Sequence, residues 1–167
     1  MKYLKLYEEL ISEIGDAGAK PYQWKYENGP RLKDNRVTSF TFLTNDDIEY
    51  MVDCGIYVTK TNFGGFNTEL VISFGTFDRE TGEIDQIIET NKSDIFKIMS
   101  TIVNIVKHVL EEKKDKKITT IKFEGSKTKG DNDRRRNKLY VAYVKKQFKN
   151  AEIYADGDKI TVELWNI

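Results

Sequence analysis

Residues 93–124 read SDIFKIMSTIVNIVKHVLEEKKDKKITTIKFE, and this stretch decides the fold. Ser93 or Asn91 is a good N-cap. Ile95, Phe96, Ile98, Met99, Ile102, Val103, Ile105, Val106, Val109 and Leu110 recur at helical spacing, predicting a helix over about Asp94–Glu112. The apolar positions cover more than one face. Only the stripe Lys97, Thr101, Asn104 and His108 is therefore expected to be wet, with the rest packing across a sheet. Ile118–Glu124 reads as a buried strand. The passage from about residue 84 to 123 is then a strand, a helix and a strand, expected to form a right-handed crossover with 118–124 parallel to the strand before the helix.

Working outward, Leu4, Tyr7, Leu10, Ile11 and Ile14 predict a first helix that Gly15 and Gly18 stop. The polar stretch Ala19–Arg36 carries Tyr22, Trp24 and Tyr26 and has room for a short edge strand, with Asn28-Gly29 as a turn. From Val37 the period changes to two: Phe40 and Phe42, a turn at Thr44–Asp47, then Ile48, Tyr50, Val52 and Cys54. A further strand centres on Leu70, Ile72 and Phe74, after the Asn62–Gly65 loop. Arg79–Gly82 turns the chain into a fourth strand at Ile84, Ile87 and Ile88. On the C-terminal side, Asp133 caps a helix reaching about Phe148. Ile153–Tyr154 and Ile160–Trp165 close the chain as a hairpin around Asp156-Gly157. The expectation is one α+β domain over residues 1–167, a mixed, mostly antiparallel sheet flanked by helices in the order α-β-β-β-β-α-β-α-β-β.

With 39% hydrophobic and 32% charged residues in 167, the chain has the composition of a folded domain large enough to bury a core. No apolar run approaches the ~18 residues of a membrane span, and Met1–Leu10 is too polar and acidic for a signal peptide, so no membrane partner is expected. A single cysteine rules out an internal disulfide, and with a single histidine no metal site is expected. Cys54 is in phase with Val52 and Tyr50 and reads as a buried, inert thiol. His108 shares its stripe with Thr101 and Asn104 and reads as solvated rather than as a general base. Asp46-Asp47 and the group Asp78, Glu80, Glu83 and Asp85 read as solvated turns.

Formal net charge is zero, yet the charge is segregated. Residues 113–149 hold 14 basic against 4 acidic side chains, while residues 1–112 hold 12 against 19. Such blocks create local fields in a neutral protein. Within the basic block Arg134, Arg135 and Arg136 occupy the expected first turn of a helix, where the macrodipole disfavours cations. Together with Lys138 and the free N–H groups they are candidates for contact with a phosphate or a nucleic acid. Pairing with the acidic remainder of the chain is the first expectation for this block, and anion contact the alternative.

Two resemblances arise from these residues. Pro21-Tyr22-Gln23-Trp24, Glu69–Phe74, the helix from Ile95-Phe96 to Val109-Leu110, Ile121-Lys122-Phe123 and Arg136-Asn137-Lys138-Leu139-Tyr140 resemble a family of small uncharacterised tailed-bacteriophage proteins. That resemblance implies a protein of the virion or of the host cytoplasm, with a viral or host protein as partner. The C-terminal half resembles a GNAT-type N-acetyltransferase in its order of elements and in Asn132, Leu139-Tyr140 and Phe148. By that resemblance Tyr140 would be the general acid and Glu83 or Glu89 the base. Asn91, Lys92 and Ser93 would then hold the acetyl-CoA phosphates. The glycine-containing phosphate loop of that family has no counterpart in Glu89–Asp94, where two carboxylates oppose a polyanion. The leading expectation is a noncatalytic protein that works through protein contacts and needs no cofactor. An acetyl-CoA-dependent transferase and a nucleic-acid binder using residues 113–149 stand as the alternatives.

Overall fold

The computed structural model describes residues 20–27, 34–85, 92–124, 144–148, 151–156 and 159–164. The centre of the sheet is an antiparallel meander of β-branched and aromatic residues in period two, the pattern that suits a pleated surface. Its strands are β2 (Val37–Leu43), β3 (Glu49–Lys60) and β4 (Phe66–Asp78). The expected turns join them. At Thr44–Asp47 the Thr44 N–H donates to the Ile48 carbonyl at 3.0 Å, and Asp47 takes φ 59°, a left-handed position that aspartate tolerates. After β4, Gly82 takes φ 72° and its N–H donates to the Asp78 carbonyl at 2.8 Å.

β1 (Trp24–Tyr26) lies along the outer edge of β2, with Trp24 opposite Phe42 and Tyr26 opposite Phe40. β5 (Glu83–Asp85) folds back on the last three residues of β4. After the helix α1 (Lys92–Glu112), β6 (Thr120–Glu124) runs parallel to β4, from Glu69↔Thr120 to Ser73↔Glu124. The closing hairpin is β7 (Glu152–Asp156) and β8 (Lys159–Glu163), with β8 against β6. The order is β1-β2-β3-β4-β6-β8-β7, with β5 paired to β4 off this path.

One expectation changes. The strand parallel to β6 is β4, not the strand that immediately precedes the helix. β5 has only three residues and runs antiparallel on the same edge of β4, whereas β4 presents a long apolar row for α1 to cross. The first helix at Leu4–Ile14, the strand residues Ile87 and Ile88, and most of the helix at Asp133–Phe148 lie outside the described residues. Residues 144–147 are helical.

α1 packs on one face of the sheet. Phe40, Tyr50, Val52, Leu70, Ile72, Phe74, Ile121 and Val162 face Phe96, Met99, Ile102, Val106 and Val109 in one continuous buried cluster, which Val144 and Phe148 join. Each fully buried aliphatic or aromatic side chain there contributes about 1.5–3 kcal/mol of transfer free energy. The helix ends beyond Glu112, where a short 3-10 turn at Lys114–Lys116 is closed by Lys117 at φ 53°. The chain then enters β6.

Candidate interaction surface

The expected wet stripe of α1 is partly covered: Thr101 is buried and Lys97 and His108 are half-buried, while Asn104 stays exposed. The segment 22–26 lies along it, and the spacing of the two elements explains why. Alternate strand residues are ~6.6 Å apart and helix residues four apart are ~6 Å apart, so the two ladders keep step. The Tyr22 N–H donates to Thr101 Oγ1 at 2.8 Å, and Lys97 Nζ sits 4.2 Å from the Tyr22 ring centre. Trp24 Nε1 donates to Asn104 Oδ1 at 2.8 Å. The Tyr26 hydroxyl lies 2.6 Å from His108 Nε2 and 3.0 Å from Glu112 Oε2. Thr101 is thus wholly buried and His108 is only partly exposed.

Tyrosine, histidine and carboxylate in contact raise the question of catalysis. The Tyr26 O–H can donate to His108 Nε2 or to Glu112; with Glu112, a carboxylate that only accepts, as its partner, His108 Nε2 carries its own proton towards the Tyr26 oxygen. In that arrangement the imidazole nitrogen at the cluster is a donor, not a base. Burial, and after it the hydrogen bond and charge of Glu112, push the Tyr26 phenol above its ordinary range. Trp24, Tyr26, Phe40 and His108 also make mutual ring contacts, with centroids 4.8–6.3 Å apart. The cluster is a clasp that fastens the edge strand to the helix.

The opposite face of the sheet is polar. Ser39 Oγ donates to Asp53 at 2.6 Å, Lys122 pairs with Glu69 at 2.9 Å, and Asn67 Nδ2 donates to Thr120 Oγ1 at 3.1 Å. Arg79, from the β4–β5 turn, forks between two carboxylates. Its Nε donates to Glu49 at 2.8 Å, while Nη1 and Nη2 donate to Glu27 at 3.1 and 3.2 Å. In the strand register Thr41 and Met51 lie in the row between those of Glu27 and Glu49, and both are buried.

The end of the molecule beyond Ile56 differs from both faces. β2 pairs with β3 only as far as Val37↔Gly55, and the β4–β6 ladder begins at Glu69. Residues 57–60 and 66–68 therefore continue as a two-stranded finger, about 13 Å long at the usual rise per residue. Its tip is closed by the Thr61 N–H on the Gly65 carbonyl at 2.8 Å. Gly55 marks its base, because the Tyr57 ring occupies the space where a Cβ would stand, 2.5 Å away. Phe63 at the tip is fully exposed, Phe66 is 76% exposed and Val58 is 66% exposed. These are the three most exposed large hydrophobic side chains among the described residues. A lysine-rich turn stands beside them: the Thr119 N–H donates to the Thr68 carbonyl at 3.0 Å, two residues after Lys117.

Residues 25–159, from β1 to the first residue of β8, match the family described as "Family of unknown function (DUF6934)". The chain belongs to the DUF6934 family. The matched region takes in Tyr26, Phe40, His108 and Glu112 of the clasp, the Arg79 fork and the whole finger of this DUF6934 protein. No curated protein matches the chain.

Of the site residues singled out in the sequence, Glu83 is the one whose side chain is described. It is exposed, on β5 opposite Asp78. Lys92 and Ser93 begin α1, but their side chains lie outside the described residues, as do Glu89, Asn91, Arg134, Arg135, Arg136, Lys138 and Tyr140. Cys54 is buried among Phe40, Ile72 and their neighbours, and burial pushes its thiol far up, as expected of an inert side chain. No helix among the described residues is long and apolar enough to cross a membrane. Sequence reasoning missed the finger because the alternation of Tyr50, Val52 and Cys54 runs on through Ile56 and Val58 and does not mark where the neighbouring strands stop. The signal available was the β-branched and aromatic run Ile56-Tyr57-Val58-Thr59, which favours extended chain whether or not it is buried.

Proposed function

We propose that this DUF6934 protein works without chemistry of its own, by holding a protein partner, and that the β3–β4 finger is its contact element. The observation that carries this reading is the concentration of exposed apolar side chains on one protruding hairpin, Val58, Phe63 and Phe66. An apolar patch rimmed by polar and charged groups is the usual mark of a protein contact. In the setting the sequence resemblance implies, the protein is a small bacteriophage component or modulator, acting in the virion or the host cytoplasm and needing no cofactor.

A second reading keeps an acetyl-CoA-dependent GNAT-type transferase. Its support is the strand order, in which a single parallel pair, β4 and β6, joins an antiparallel meander to a closing hairpin. Against it, the edge of β4 beyond Ser73 is taken by β5 at Thr76–Asp78, where a parallel pair would have to open for a ligand.

Two measurements separate the readings. Calorimetric titration with acetyl-CoA is expected to be silent, and micromolar binding would favour the transferase. Photoreactive benzoyl-phenylalanine in place of Phe63 is expected to give a protein adduct in extracts of the infected host that Phe66→Ser abolishes. The same group at Ile48, at the other end of β3, is the control. Equal labelling from both positions would sink the finger as the contact element.

A further inference from the structure

We infer that the outer edge of β3 from Tyr57 to Lys60 takes an extended, acidic segment of a partner protein as an added strand. This rests on the protein-contact reading and names the chemistry of the partner. Backbone polarity supplies the first argument. In an antiparallel ladder alternate residues aim their N–H and C=O to opposite sides. The Ile56 N–H donates outward to the Arg36 carbonyl at 3.1 Å, so Val58 and Lys60 aim outward as well. Among the described residues no strand pairs with β3 on that side beyond Gly55. A strand edge that offers donors and acceptors in this spacing fits an extended peptide.

Side chains supply the second argument. Val58, Lys60, Phe66 and Thr68 share one face of the finger, so an added strand would set every second side chain beside Val58 and Lys60, with Phe66 and Thr68 behind them. The third argument is charge. Lys60 stands on the edge itself, and Lys113, Lys114, Lys116 and Lys117, with Glu111 and Asp115, belong to the helix end and turn that lead to Thr119, whose N–H bonds Thr68 at the base of the finger. Among the described residues the one ion pair these lysines form is the exposed Lys114–Glu111 contact at 3.4 Å. Complementarity therefore asks for carboxylates on the partner. A second copy of this chain fits badly, because a two-fold contact through the finger brings lysines against lysines. Single-stranded nucleic acid would use the lysines and the Phe63 and Phe66 rings but would leave the strand edge unsatisfied.

The test uses the full chain and a fluorescein-labelled heptapeptide in which valine alternates with aspartate and glutamate. The same peptide with lysine at the acidic positions, and an oligothymidylate, serve as comparators. Anisotropy is expected to show binding of the acidic peptide alone, with amide shifts confined to residues 56–60 and their neighbours. Val58→Pro removes one outward N–H and leaves the β3–β4 ladder untouched, so affinity should fall about five- to tenfold. Lys60→Glu, which does not threaten the strand, should weaken the acidic peptide and improve the lysine one. Equal binding of both peptides, indifference to both variants, or binding of oligothymidylate alone overturns the inference. No binding of any probe, with the position-63 adduct still formed, sinks the acidic strand and leaves the protein-contact reading standing. Loss of the adduct as well sinks both.

Discussion

Thr101 shows how much a single hydroxyl does here. It accepts the Tyr22 N–H at 2.8 Å and donates to the Lys97 carbonyl at 2.7 Å, inside the helix and without solvent. Thr101→Val keeps the shape and removes this acceptor from the buried Tyr22 N–H, so urea unfolding should show a loss of about 1–3 kcal/mol. A loss within error would mean that the clasp holds without this bond. Tyr26 gives a prediction in pH. Its phenol is raised above its ordinary value of 10.0, first by burial and then by Glu112, so folding favours the protonated form. That stability is complete below the ordinary value and is lost as pH rises through the folded one. Tyr154 is also raised, first by its hydrogen bond to Glu152, but it is exposed and its partner is two residues away, so solvent screening leaves it little part in that fall. The decisive quantity is the difference between wild type and Tyr26→Phe, whose melting temperature should decline less steeply in alkali. Parallel curves would exclude a part for the Tyr26 proton.

Among elements, the β4–β5 turn does more than reverse the chain. Arg79 lets it grip Glu27 beyond β1 and Glu49 at the start of β3, so one side chain ties three parts of the sheet. The guanidinium is half exposed, and solvent screening reduces the pair energies accordingly. Arg79→Met should cost about 0.5–1 kcal/mol. Thermal unfolding should register that as a fall of roughly 1–4 °C in Tm. A larger fall would show that the two carboxylates, themselves mostly covered, repel once the cation is gone. The finger obeys the opposite logic. Val58, Lys60, Phe63 and Phe66 are exposed, so the finger draws more on ladder bonds between β3 and β4 than on burial.

At the scale of the molecule, stability rests on α1 against the sheet. Ile102 is completely buried at the centre of that layer, and Ile102→Ala should cost about 2–5 kcal/mol in urea unfolding. A smaller cost would mean the helix can settle into the space. Much of this layer was legible beforehand, because period two at Phe40–Phe42, Tyr50–Cys54 and Leu70–Phe74, and period 3.6 across 95–110, are local properties of the chain. The edge strand at Trp24, the turns at Asp47 and Gly82, the buried Cys54 and the closing hairpin followed from the same local rules. What covers the polar stripe of α1 did not follow. The Tyr22, Trp24 and Tyr26 contacts join residues about eighty positions apart, and no local pattern encodes such a pairing. The parallel partner of β6 was hidden for a related reason, since β4 wins that place by the length of its apolar face in three dimensions. The finger was decided by termination: β2 ends opposite Gly55 and the β4–β6 ladder begins at Glu69, so among the described residues no third strand pairs with the stretch between. The sequence by itself determined which residues could be core and where strands and helix run, because those depend on side-chain period. Only the tertiary structure decided which surfaces stayed uncovered, because exposure depends on where every other element stops.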